Sequence, residues 1–376
     1  MPLPDPAPTA AASLEPYDGI LLLSFGGPEG PDEVMPFLRR VTAGRGIPEA
    51  RLAAVAEHYH AVGGRSPIND QNRALLAALG AELAARGLST PLLWGNRNSE
   101  PFLADALADA HARGLRRLCV LTTSAYSCYS SCRQYRENLA DAVAALGARG
   151  QDLVVDKVRP YAVHPGFAAT NARLVEEAVR SLPGAEGVRL LFVTHSVPDA
   201  MDDTSGPGDG EGNLYSDQHR RLARAITDHV NAAFGTELDG ELVFCSRSGP
   251  PTQPWLEPDV NDRIEELAAE GATTVVLAPI GFVSDHMEVV HDLDTEAGET
   301  CERLGLTLAR VPTTGVDPAF VTGLADLLLE RAAEARAEPV VPATWLPGDV
   351  RPSVCATGCC PNLREARPAL CGSDPW

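Results

Sequence analysis

The chain has 376 residues, 44% of them hydrophobic and 5% aromatic, which is enough for ordinary buried cores and points to two domains. A net charge of -20 excludes nucleic acid or an anionic membrane as a main partner, since both demand a basic footprint. It suits cations, or a substrate gripped by local arginines; Lys157 is the only lysine.

In chain order, residues 1–16, "MPLPDPAPTAAASLEP", carry neither the basic nor the apolar region of a secretory signal and read as a loose tail. No stretch is long and apolar enough to span a bilayer, so the expectation is a cytoplasmic chain whose thiols stay reduced. From residue 17 short apolar runs recur: "GILLLSF", "PLLWG", "RLCVLTTS", "DLVVDKV", "RLLFVTHS", "ELVFCS", "TTVVLAPI" and "LTLARVP". Between them lie stretches such as "QNRALLAALGAELAARG" and "ENLADAVAALGARG", with apolar residues every three or four. Strand and helix in alternation predict an α/β fold with parallel sheets covered on both faces. The expected division is a doubly wound half over 17–183 and a second over 184–335, with the break near "SLPGAEG". "TSGPGDGEGN", 204–213, reads as a flexible surface insertion, and 336–376 as an extension ending in a cysteine-dense tail.

Ligands of open α/β sheets bind at the carboxyl ends of the strands, which gives weight to four segments. They are "LLLSFGGPEG", "LTTSAYSCYS", "LFVTHSVP" and "LAPIGFVSDHMEVV". The first lacks the spacing of a dinucleotide fingerprint, and no P-loop occurs. His195 closes one strand, and His286 and Glu288 follow another; imidazole and carboxylate together suit borderline metals such as Fe, Ni and Zn. Glu288, Asp292 and Glu296 lie four apart, so an α-helix would align them as one carboxylate row that repels itself unless a cation is present. Such a row reads as a ladder of weak oxygen ligands, or as a solvated face of an acidic protein. Asp285, His291 and Asp294 fall off it and read as surface or structural positions. In the tail, Cys355, Cys359, Cys360 and Cys371 are dense enough to indicate a metal or Fe–S site, and adjacency suggests that one of Cys359 and Cys360 stands idle.

Taken together, these segments resemble the ferrochelatases, which insert Fe²⁺ into a porphyrin. The resemblance runs from about residue 17 to 335 through "GILLLSFGGPEG", "HYHAVGGRSPIN", "GNRNSEPF", "VTHSVP", "SRSGPPTQPWLEPDV" and "PIGFVSDHMEVVHDLD". "SAYSCYSSCRQYREN" and the cysteine tail resemble the actinobacterial members, coproporphyrin ferrochelatases with a 2Fe–2S cluster. The resemblance implies two Rossmann-like domains around a porphyrin cleft, with coproporphyrin III and Fe²⁺ as substrates and transient contact with neighbouring haem-pathway enzymes. It makes His195 the active-site histidine, Glu288 its partner, and Asp292 and Glu296 acids that conduct metal, while His286 supports the loop. His195 and Glu288 are expected to meet across the cleft from different halves. Phe25 stands where some bacterial members have a tyrosine near the metal. Arg45 lies in the segment that grips propionates, although Thr42 and Ala43 replace arginines of some relatives. Tyr59, Ser66, Tyr126 and Arg133 are further cleft candidates. The cluster would take one internal cysteine, Cys132 in preference to Cys128, and three from Cys355, Cys359, Cys360 and Cys371. A protoporphyrin chelatase, a porphyrin carrier and an Fe–S redox sensor are the competing readings.

Overall fold

The computed structural model describes residues 12–44, 46–206, 212–249, 252–348 and 350–370. All eight apolar runs form strands: β1 (Gly19–Ser24), β2 (Leu92–Asn96), β3 (Arg117–Thr122), β4 (Val154–Lys157), β5 (Val188–His195), β6 (Asp239–Cys245), β7 (Thr274–Ala278) and β8 (Thr307–Arg310). They make two four-stranded parallel sheets, ordered β2-β1-β3-β4 and β6-β5-β7-β8. β1 is buried at every position, as a strand covered by helices on both faces must be. In both sheets the chain runs outward from a central strand in two directions. Crevices therefore open beyond the carboxyl ends of β1 and β3, and of β5 and β7.

The sheets share one core. Ile20 and Leu22 of the first belong to the same buried cluster as Leu190, Phe192 and Val276 of the second. Helices Ile68–Ala85, Pro165–Arg180, Leu214–Phe234 and Pro318–Ala335 fill the space between. Two of these touch backbone to backbone, since a Cβ on Gly166 would stand 2.7 Å from the Gly323 Cα. A smaller cluster joins Phe37 and Tyr59, on helices Pro31–Val41 and Glu49–Ala61, to Met287 of the second half. Among the described residues no helix is long and apolar enough to cross a membrane.

Three expectations are corrected here. His195 ends β5 and Glu288 follows β7, so both come from the second half; they meet because β5 and β7 are hydrogen-bonded neighbours whose carboxyl ends share one edge. Residues 13–15 of the supposed loose tail are pinned: Leu14 is buried, and Arg336 donates to the carbonyls of Ser13 and Glu15. Ser205 and Gly206, inside the expected surface insertion, are likewise buried and hydrogen-bonded, while 207–211 lie outside the described residues. Residues 1–11 and 371–376 also lie outside them.

Candidate metal and substrate site

His195 is the last residue of β5, and its orientation is set by the backbone that follows. Its Nδ1 faces the Ser196 carbonyl, which can only accept, so Nδ1 carries a proton and the lone pair of the neutral ring is the one on Nε2. Below it, the Tyr215 hydroxyl donates to the His195 carbonyl at 2.9 Å. His219 Nδ1 donates to the Tyr215 carbonyl at 2.7 Å, which leaves its Nε2 to accept from Thr194 Oγ1 at 2.9 Å. Burial lowers the His219 pKa to about 3, in keeping with a neutral ring that accepts at Nε2.

Glu288 arrives on a tight crossing. After β7 the chain passes over β5, where Gly281 N–H donates to the Val193 carbonyl at 3.0 Å. A Cβ on Gly281 would lie 2.1 Å from Thr194 Oγ1, so the crossing requires glycine. His286 then starts a one-turn helix, Met287–Val289. Glu288 Oε2 stands 3.6 Å from His195 Nε2 and 3.9 Å from His286 Nδ1. Two ligands each about 2.1 Å from one ion can stand up to about 4.2 Å apart, so His195 and Glu288 can share a divalent ion. His286 is half-buried, its ring edge-on to Phe282 at 5.0 Å, and burial holds its pKa below the usual range.

The expected α-helical row is not the geometry found. Val290–Glu296 is a π-helix, whose hydrogen bonds run from i to i+5. The wider turn brings His291 beside the acids: its Nδ1 is 3.3 Å from Asp292 Oδ1 and 3.8 Å from Glu296 Oε1. These three side chains present ligand atoms all within 4.8 Å of one another. The His58 ring stacks on His291 at 4.1 Å, and Ser246 Oγ donates to Asp292 Oδ2. Burial, reinforced by Asp292, raises the Glu296 carboxyl above its usual range. His291 reads as surface or structural in the sequence because four-residue spacing assumes α-helical turns, and His58 and Ser246, in other parts of the chain, carry no signal there. Asp285 and Asp294 both pair with Arg310, and the backbone of Asp285 also pairs with the Gln71 amide of the first half.

The remaining candidates divide. Phe25 meets Phe37 edge-on at 6.1 Å and lies under the Arg97 guanidinium. Tyr59 is buried, its hydroxyl pKa pushed up by burial and then by Glu288 and Asp292. Ser66 is buried beneath the loop after β1, where a Cβ on Gly27 would stand 2.7 Å from it. Tyr126 stacks on His219 at 3.5 Å and donates to the Ile280 carbonyl, so it ties the first half to the loop that carries Glu288. Arg133 reaches Glu137 and the carbonyls of Cys359 and Arg367, which makes it an anchor for the tail. Arg45 lies outside the described residues.

The cysteines gather at one place. Cys132 is buried, and its hydrogen bond with Cys355, followed by burial, pushes its pKa up to about 12. The Cys355 hydrogen bond lowers the Cys359 pKa, but contact with Cys360 and burial prevail and raise it to about 12. Cys359 and Cys360 are both buried, with Sγ atoms 3.7 Å apart. Cys360 takes a left-handed backbone, φ 51°. Cys128, the rival for the internal position, instead caps the turn Tyr129–Arg133 through Ser131. Cys371 lies outside the described residues.

The second parallel sheet brings an imidazole, a carboxylate and a further His/Asp/Glu cluster to one strand edge, a donor set able to hold a divalent cation. Comparison with known proteins gives the family. The ferrochelatase family model matches residues 17–332. The coproporphyrin III ferrochelatase of Streptomyces coelicolor is 51% identical, covering 96% of this chain and 97% of the relative. That of Streptomyces griseus is 52% identical with the same coverage, and a ferrochelatase of Rhodopirellula baltica is 44% identical over 97% of this chain and 99% of its own. Among solved structures, SirB from Bacillus subtilis with Fe3+ aligns at a TM-score of 0.48 and 12% identity, covering 85% of this chain and 97% of that one. The chain belongs to the ferrochelatase family.

Proposed function

We propose that this protein inserts Fe²⁺ into coproporphyrin III to give Fe-coproporphyrin, as a cytoplasmic enzyme of haem synthesis. The observation that carries the reading is the 3.6 Å approach of His195 Nε2 to Glu288 Oε2, with the nitrogen's lone pair free. Insertion must strip water from the ion, bend the macrocycle so that a nitrogen lone pair faces it, and remove two pyrrolic protons. His195 Nε2 takes the first proton, and Glu288 neutralises the incoming ion and passes charge outward; both protons end in solvent. The Ser196 carbonyl orients the imidazole and Tyr215 braces the His195 backbone, so the ring's basic edge is in place before substrate arrives. The choice of coproporphyrin follows the names of the nearly full-length relatives. A side-by-side measurement of Fe²⁺ insertion into coproporphyrin III and protoporphyrin IX tests it. The four-propionate ring is expected to react faster, and a preference for protoporphyrin would overturn the assignment.

The reading includes a 2Fe–2S cluster on Cys132 and three of Cys355, Cys359, Cys360 and Cys371. Support comes from the donor set: two sulfurs about 2.3 Å from one tetrahedral metal stand roughly 3.8 Å apart, close to the 3.7 Å between Cys359 and Cys360. When bound, such a cluster supplies a one-electron acceptor and a cross-link between tail and first half. Contact with neighbouring haem-pathway enzymes is part of the same reading.

A further inference from the structure

We propose that Arg97 takes a propionate that coproporphyrin carries and protoporphyrin lacks, and so selects the four-propionate ring. This deepens the coproporphyrin reading and rests on it for the identity of the ring.

The starting observation is an arginine without an acid. With 51 acidic residues against 31 basic ones, carboxylate partners are abundant in this chain. Four arginines lie at, or within two residues beyond, the carboxyl end of a strand, where ligands of such sheets bind. They are Arg97 after β2, Arg159 after β4, Arg247 after β6 and Arg310 at the end of β8. Arg159 pairs with Glu330, Arg247 with Glu257, and Arg310 with Asp285 and Asp294. Arg97 alone meets no carboxylate among the described residues.

Its geometry is that of a cation held ready. The Arg97 N–H donates to the Ser24 carbonyl at 2.9 Å and the Asn98 N–H to the Phe25 carbonyl at 3.1 Å, which pins the backbone beyond the ends of β1 and β2. The half-buried guanidinium lies over the rings of Tyr135 at 4.5 Å and Phe25 at 5.5 Å. Its Nε donates to Asn138 Oδ1 at 2.7 Å. Tyr135 and Asn138 share helix Gln134–Gly147, so one element sets both the tilt and the direction of the fork. With Nε engaged, the two amino groups are left to take both oxygens of one carboxylate. Little side-chain freedom remains to be lost when they do.

The position suits the rim of a macrocycle. Phe25 packs against the cluster of Phe37, Tyr59 and Met287, and Met287 is the neighbour of Glu288. Arg97 is thus set apart from the Glu288 turn by a layer of aromatic side chains, as a rim carboxylate is set apart from the central nitrogens that receive the metal. A propionate there gains a bidentate, charge-assisted partner. A vinyl in its place displaces water from the guanidinium and returns no hydrogen bond, which counts against the wrong ring. Coproporphyrin has a propionate on every pyrrole, whereas protoporphyrin has vinyls on two, so one arginine on this wall can tell them apart.

The test measures binding of each porphyrin by fluorescence titration, with iron omitted, to the unaltered protein, Arg97→Met and Arg97→Lys. Methionine keeps an apolar stem over the two rings but no cation. It should weaken coproporphyrin III roughly ten- to a hundredfold while changing protoporphyrin IX by no more than about twofold. Lysine restores the charge without the planar fork and should recover part of the lost affinity. Unchanged coproporphyrin affinity in Arg97→Met, or equal weakening of both porphyrins, would overturn the proposal. Arg97→Lys guards against a folding defect in the first variant: it should prefer coproporphyrin less than the unaltered protein does, and an undiminished preference would also overturn the role of the fork. An unaltered protein that favours protoporphyrin would sink the coproporphyrin reading itself, a result separate from these because it needs no variant.

Discussion

The proton on His195 Nδ1 is fixed by a carbonyl, and the residues beneath it are arranged to keep it there. His219 is the most constrained of them, enclosed on every side with a pKa near 3 against an ordinary value near 6.5. Below pH 6.5 the unfolded chain takes up a proton that the folded chain refuses until about pH 3. Stability is therefore full above pH 6.5 and declines as the pH falls through that window, by about 1.4 kcal/mol per unit well inside it. Replacing His219→Gln should flatten the pH dependence of unfolding free energy between pH 6 and 4 by about one proton. Denaturant titrations at several pH values measure this, and an unchanged slope would count against a neutral buried His219. None of that support was readable from the sequence. His195 announced itself by closing an apolar run, whereas His219 and Tyr215 sit on an amphipathic helix where nothing in the spacing marks them. The resemblance offered Tyr126 and Arg133 as cleft candidates, yet in the fold Tyr126 donates to the Ile280 carbonyl and Arg133 to Glu137 and two tail carbonyls, a distinction only tertiary packing makes.

At the scale of elements, the strands follow from apolar runs that have no other use in an α/β chain, and all eight were legible, whereas their order in each sheet came only from the fold. The segment after β7 was only half legible. Its acids were evident, but a π-turn and an α-turn have the same composition, and the difference of one residue per hydrogen-bonded ring decides whether His291 joins them. The crossing at Gly281 carries the next prediction. In Gly281→Ala the new Cβ would press on Thr194 Oγ1 and on its Cα at 2.8 Å, so the loop must lift. The expected cost is about 1–3 kcal/mol of stability, with a fall in turnover as Glu288 leaves His195. Thermal unfolding together with an insertion assay checks both; a variant that keeps full activity would show that the crossing does not position Glu288.

Across the whole molecule the tail acts as a strap. Arg136 donates to the carbonyls of Ser353 and Leu370, Trp345 N–H to Val163, and Arg159 to Ala343, so these tail residues lie along the first half. Cys360 exchanges two hydrogen bonds with Gly206, on the segment that follows the His195 strand end. The cysteines thus stand where tail, first half and the neighbourhood of His195 meet, although sequence composition gave only their density. Arg136→Ala leaves the carbonyls of Ser353 and Leu370 without that partner, at about 1–3 kcal/mol for each one that stays unsatisfied. It should speed proteolytic removal of the tail and lower bound iron and sulfide per chain. A variant with normal tail protection and iron content would contradict the strap.

The central claim is that His195 Nε2, aimed at Glu288, takes a proton from the bound ring during insertion. The direct measurement is anaerobic incubation of Fe²⁺ and coproporphyrin III with the protein and with His195→Ala, following the loss of free porphyrin by absorbance and its binding by fluorescence. Insertion should proceed in the first and stop in the second, with the ring still bound. Near-normal insertion by His195→Ala would contradict the account.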